Sequence, residues 1–249
     1  MQSEERLQRE QNFHDSTYSN NSRAGIAKYY GITQPCWDFY RGFIWEQTPG
    51  KDVLEYGCGI GGYTIGLTKI GGRVNGIDIS EVAVQTARLD AKEKGYDIPF
   101  SVMNAEQMAF ADNTYDLIYG AGILHHLNLD RALSELARTL KPNGQAIFLE
   151  PLGHNPIINL YRLLTPNMRT PDEHPLTMDD LALMRRYFAD VDVRYYNLMT
   201  LAFAPLGKVV RRMAFTNLLH GIDQQLFRRI PPLQRYAWNA NLVLKKPRK

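Results

Sequence analysis

Apolar and polar positions alternate in two rhythms along the middle of this chain. Short apolar runs bounded by turn residues predict strands near 52–56, 74–78, 99–103, 115–120 and 145–150. Amphipathic stretches fall between them, including helices over Glu81–Lys94 and Leu129–Leu140. Regular alternation of strand and helix implies a parallel sheet with right-handed crossovers. Val191–Tyr196 and Asn239–Lys245 add two later strands. Residues 1–48 read as mainly helical, a cap with Trp37, Tyr40, Phe43, Ile44 and Trp45 on one face and a break at Pro49-Gly50.

Two insertions flank the sixth strand, at 151–177 and 198–236. The first holds Pro151, Pro156, Pro166, Pro171 and Pro175, and leaves the carboxyl end of the fifth strand. It is expected to lie across the mouth of any site there, because long structured loops are commonly functional. Thr177-Met178-Asp179-Asp180 has the form of a capping box, with Asp in place of Glu, opening a helix that runs to Phe188. In the second insertion Leu201, Phe203, Leu206, Val209 and Val210 suit cap packing, a substrate wall, a dimer face or a peripheral membrane contact. Its longest uncharged run, Tyr195 to Gly207, has 13 residues and contains Pro205. A spanning helix needs about 20, so no transmembrane segment is expected.

Composition narrows the classes. The 249 residues fit one domain with a substantial core. A net charge of +3 is a mild excess and does not point to nucleic acid, which calls for a concentrated basic stripe. The first residues carry no apolar signal segment, and only Cys36 and Cys58 occur, so a reducing cytoplasmic setting without a disulfide is expected. No Cys or His spacing points to a metal, since His125 and His126 are adjacent rather than four apart.

The chemistry gathers at Val53-Leu54-Glu55-Tyr56-Gly57-Cys58-Gly59-Ile60-Gly61-Gly62, an apolar strand breaking into a glycine-rich turn. Gly57, Gly59 and Gly62 satisfy G-x-G-x-x-G, and Asp78 follows about 20 residues on, where nucleotide folds place a ribose-binding carboxylate. A nicotinamide-dependent oxidoreductase would set a pyrophosphate over this turn. Glu55 would repel that group and attract an ammonium.

Glu55-x-Gly57-x-Gly59-x-Gly61 resembles motif I of the class I S-adenosylmethionine-dependent methyltransferases. Arg73–Ser80 resembles the segment whose acid binds both ribose hydroxyls, here Asp78, with Ser80 also suited to cap the next helix. Asn104-Ala105-Glu106 resembles the adenine segment, with Asn where Asp is usual; its side-chain oxygen still accepts from an amino group. Leu117–Leu127 and Leu136–Gly144, ending in Lys141-Pro142-Asn143-Gly144, resemble the type 11 branch typified by ubiquinone-biosynthesis methyltransferases. The resemblance spans residues 50–150, the cofactor-binding core. It implies a Rossmann-like α/β fold with seven mostly parallel strands, helices on both faces and an antiparallel last strand.

It also implies a site for S-adenosylmethionine, and its product S-adenosylhomocysteine, made by Glu55, Gly57, Cys58, Gly59, Gly61, Asp78, Ile79, Asn104, Ala105, Glu106 and Gly120. Tyr18, Tyr29 and Tyr30 of the cap are candidates to line it. The expected acceptor is a small molecule, a glycan or a lipid-like compound. If it is a hydroxyl, a general base is needed. His126 heads the candidates because it follows strand four; His154 is second, with His125, His174 and Glu150 behind. A non-catalytic interaction protein that retains the cofactor site is the other reading, against which motif I is undegraded.

Overall fold

The computed structural model describes residues 2–19, 32–166, 170–202 and 213–249. Seven strands form one sheet: β1 (Asp52–Tyr56), β2 (Arg73–Asp78), β3 (Phe100–Val102), β4 (Tyr115–Ala121), β5 (Leu140–Pro151), β6 (Phe188–Tyr196) and β7 (Asn239–Pro247). Their order is β3-β2-β1-β4-β5-β7-β6. The first five strands pair in parallel, and β7 inserts antiparallel between β5 and β6. The order reverses between β1 and β4, which opens a crevice at their carboxyl ends where open α/β sheets bind ligands.

Period-two alternation sorts the core onto two faces. On β1, Leu54 and Tyr56 join one apolar cluster while Val53 joins the other. On β5, Ala146 and Phe148 fall with Leu54, and Ile147 and Leu149 with Val53. Helix α5 (Leu129–Thr139) covers the first face with Leu129, Ala132, Leu133, Leu136 and Ala137, all buried and spaced three or one apart. Helix α2 (Gln34–Gln47) covers the second with Cys36, Tyr40 and Ile44. Beside it, α3 (Thr64–Lys69) contributes Leu67.

The capping chemistry matches the sequence expectation. Ser80 accepts from the Ala83 amide at the start of α4 (Glu81–Glu93). At α7 (Met178–Tyr187) Thr177 and Asp180 cap each other's backbone amides reciprocally, so Asp reaches far enough to replace Glu in the box. Strand boundaries differ at β5, β6 and β7: β6 begins three residues early, at Phe188, and β7 runs on to Pro247. β5 begins at Leu140, before the Lys-Pro-Asn-Gly turn, because Leu140 pairs with Tyr115 across a register shift.

The cap consists of α1 (Gln2–Ser19) and α2. The first insertion forms α6 (Pro156–Leu164) and then a stretch that returns toward the sheet. The second contains α8 (Met199–Ala202) and α9 (Met213–Arg229). Leu201 is buried there, while Phe203, Leu206, Val209 and Val210 lie outside the described residues, as do Tyr29 and Tyr30. Among the described residues, no helix is long and apolar enough to cross a membrane.

Candidate active site at the carboxyl ends of strands one, two and four

The glycine turn leaves β1 with Gly57, Gly59 and Gly61 at φ of +74°, +51° and +82°, a backbone that side chains strain. Their reasons differ. A Cβ on Gly61 would press on Phe100, Ala87 and Thr64, so this glycine lets α4 and β3 approach the turn. A Cβ on Gly59 would point into the cleft, 2.5 Å from the Tyr18 hydroxyl. Gly120 sits in regular strand, but a Cβ there would lie 2.6 Å from the Tyr56 carbonyl oxygen, so close packing requires it.

Asp78 ends β2 and ties the turn down. Its Oδ2 accepts from the Gly59 amide at 2.7 Å and its Oδ1 from the Ser80 amide at 2.9 Å. A carboxylate has about four lone-pair sites, so each oxygen keeps acceptor capacity toward the cleft. The Tyr56 hydroxyl donates to the Ala105 carbonyl at 2.6 Å, and Asn104 Oδ1 accepts from the Glu106 amide, which together shape the loop after β3. Gly57, Asp78, Ile79 and Ala105 line the cavity, as do Met103, Ala121, Gly122 and Ile123.

Other expected cofactor residues stand behind this surface. Glu55 is 6% exposed and accepts from the Thr64 hydroxyl at 2.7 Å. Burial pushes its carboxyl up to about 7, against the pull of Thr64 and Tyr119. Cys58 is buried, and desolvation raises its thiol far above the ordinary range. Glu106 is buried too, accepting from the Asn128 amide and pairing with Arg6 of α1.

Helix α1 roofs the cleft. Leu7, Glu10, His14 and Tyr18 recur at three or four residues and all face the cavity, with Arg6 beside them. Polar contacts hold the roof in place. Arg6 donates to the His126 carbonyl, the Ser80 hydroxyl donates to Asp15, and the Thr170 hydroxyl donates to Glu10 Oε1. The remaining cavity measures about 80 Å³. That is below the ~150 Å³ that admits one benzene. The donor set fits a nucleoside, but the space fits one only with α1 moved outward.

After β4, a 3-10 turn (Leu124–His126) brings two histidines to the roof. His125 Nδ1 lies 2.7 Å from Glu150 Oε2, while Glu150 Oε1 accepts from the Ile123 and Leu124 amides. Glu150 therefore braces the turn rather than facing the cavity. His126 does line the cavity, and burial lowers its pKa from the ordinary imidazole value, with Glu10 opposing. The segment after α6 reaches this turn: the His174 amide donates to the His125 carbonyl, and Asp172 pairs with Arg9. His154 is placed apart from the cavity lining, its Nε2 accepting from the Met178 amide.

Sequence reasoning missed Arg6, Leu7, Glu10 and His14. The signal was present as one face of α1, positions 7, 10, 14 and 18, but that face is mostly polar, so apolar periodicity passes over it.

Residues 54–148 match the methyltransferase domain family. Over 117 residues the chain is 33% identical to a ubiquinone biosynthesis O-methyltransferase of Alkalilimnicola ehrlichii, covering 46% of this chain and 47% of that protein. Over 108 residues it is 37% identical to a ubiquinone/menaquinone biosynthesis C-methyltransferase of Hydrogenovibrio crunogenus, covering 41% and 42%. The chain thus spans about half the length of the curated relatives it matches. Among solved structures, phosphoethanolamine N-methyltransferase 2 of Haemonchus contortus with S-adenosyl-L-methionine aligns at TM-score 0.64 and 19% identity, covering 96% of this chain and 60% of that one. Geranyl diphosphate C-methyltransferase of Streptomyces coelicolor, with Mg2+, geranyl diphosphate and S-adenosyl-L-homocysteine, aligns at 0.59 and 15%, covering 89% and 82%. At such identities the structures share the fold.

Proposed function

Since the chain belongs to the class I S-adenosylmethionine-dependent methyltransferases, on the branch of the ubiquinone-biosynthesis enzymes, we propose that it methylates a small-molecule, glycan or lipid-like acceptor at the cleft under α1. The observation that carries this reading is the join between the Gly59 amide and the Asp78 carboxylate at the switch point of the sheet. It holds a glycine turn and an acid in the arrangement that receives a nucleoside.

When bound, S-adenosylmethionine would supply an activated methyl group on its sulfonium. Asp78 would hold the ribose hydroxyls, and the Asn104-Ala105-Glu106 loop would take the adenine. Glu55 braces the turn from behind through Thr64. Alignment of donor and acceptor in such a site is worth about 7–11 kcal/mol.

His126 would take the proton from a hydroxyl acceptor. It lines the cavity, and burial lowers its pKa from the ordinary imidazole value, which favours the form that accepts a proton. His125, braced by Glu150, orients the turn that carries it. An apolar acceptor is supported by Leu160, Leu163 and Leu164, which stand exposed on α6 beyond the carboxyl end of β5, with Leu163 77% exposed.

Calorimetry with S-adenosylhomocysteine tests the cofactor, and transfer of labelled methyl to candidate acceptors tests the reaction. Micromolar one-to-one binding supports the reading. Binding of NADH with none of S-adenosylhomocysteine overturns it in favour of a nicotinamide enzyme. Cofactor binding without transfer to any acceptor class leaves the non-catalytic interaction protein.

A further inference from the structure

Three side chains converge under the roof, and two of their buried polar atoms have no hydrogen-bond partner. Glu10 Oε2 lies 3.2 Å from His126 Nδ1 and 3.6 Å from His14 Nε2. Donor atoms of all three residues lie within 4.8 Å of one another. Despite the short separation, Glu10 Oε2 and His126 Nδ1 are both sealed from solvent and neither is in hydrogen-bonding geometry with any partner. Buried polar atoms left in that state cost roughly 1–3 kcal/mol each, so the arrangement calls for an occupant.

The geometry points to a zinc-type divalent metal site formed by Glu10, His14 and His126, which clamps α1 onto the core. Around a tetrahedral ion with bonds of about 2.0–2.1 Å, ligand atoms stand about 3.3 Å apart, close to the two separations measured. Two imidazoles and one carboxylate are a donor set that suits zinc.

The surroundings are those of a ligand set. Glu10 is 3% exposed, and its other oxygen is held by the Thr170 hydroxyl, which aims Oε2 at the histidines. Glu10 and His14 are four apart on one helix, so they present on the same face. His126 is fixed by its turn and packs against the His125 ring at 4.2 Å. All three residues line the cavity, so the site borders the cleft.

Two ligands come from α1 and one from the core, so the ion closes the helix over the cleft. While His126 ligates the ion it is not free to act as a base. The metal-bound form is therefore the closed, resting arrangement. The binding itself does not depend on what the cleft accepts.

The experiment is titration of the metal-free full chain with Co2+, followed by displacement with Zn2+. One equivalent should bind with the visible absorption of tetrahedral Co2+. His14→Ala and Glu10→Gln should each weaken binding at least tenfold. His14→Cys should restore it with a thiolate-to-cobalt band, which guards against loss of fold in the alanine variant. Zn2+ should slow amide exchange in α1 of the wild type and not of Glu10→Gln. No stoichiometric binding, or wild-type binding in both weakened variants, overturns the proposal. So does loss in Glu173→Gln alone, which would place the ion on the neighbouring His125, His126 and Glu173 group.

Discussion

The Tyr18 hydroxyl occupies the place where a side chain on Gly59 would begin. A Cβ there would stand 2.5 Å from it, so the tip of the Tyr18 side chain would have to give way. The glycine turn is thus open toward the cleft in its backbone and closed by a residue 41 positions earlier in the chain. A ligand that lies on the turn has to displace the Tyr18 hydroxyl.

Tyr18→Ala is accordingly expected to raise the association rate of S-adenosylhomocysteine about 3- to 10-fold, because the binding-competent form becomes more populated. Stopped-flow fluorescence would measure it. An unchanged association rate would show that α1 does not gate the cleft.

The Asp78 carboxylate holds the turn, accepting from the amides of Gly59 and Ser80, and in the proposed function it also meets the ligand. Charged hydrogen bonds are worth about 1.5–3 kcal/mol. Asp78→Ala should therefore weaken S-adenosylhomocysteine by at least tenfold in calorimetry, with Asp78→Asn between it and the wild type. Wild-type affinity in the alanine variant would remove Asp78 from the site.

How far the sequence carries depends on what holds each part together. The sheet, its capping residues and the glycine turn were legible because apolar alternation, Ser80, Thr177 and the positive-φ glycines are local signals. The roof was not. Apolar spacing on α2 announced a helix that packs, whereas α1 is held by Arg6, Glu10 and Asp15 reaching partners in distant segments. Such pairings have no period. Glu150 is a similar case: a carboxylate at a strand end suggests a base, yet three bonds from its oxygens make it a brace. Glu55 sits where the motif requires, but only the structure shows it facing the core.

His126→Asn is expected to separate chemistry from cofactor binding. A positioned general base contributes about 10²–10⁴-fold. For a hydroxyl acceptor and metal-free protein, kcat should fall within that range, while S-adenosylhomocysteine affinity stays within about 3-fold. His154→Asn should leave kcat near wild type, since His154 is engaged with the Met178 amide away from the cavity lining. The opposite ranking of the two variants would transfer the base role to His154.

The buried Glu55 carboxyl makes a prediction about stability rather than rate. Its value rises from 4.5 to about 7 on folding, chiefly because burial penalises the charge. Between those two values the folded chain holds a proton that the unfolded chain has released. Stability then falls as pH rises through the interval, and the penalty is complete above about 7. Wild type minus Glu55→Gln isolates this group from the histidines that titrate nearby in pH. The difference should be small near pH 4.5 and move against the wild type by on the order of 1–3 kcal/mol by pH 8. For a chain of this size that is a loss of several degrees in Tm relative to the variant. Thermal melts of both proteins from pH 5 to pH 8 provide the check. A constant difference across the range would mean that Glu55 is ionised in the folded protein at every pH tested, and that an unseen cation or solvent reaches it.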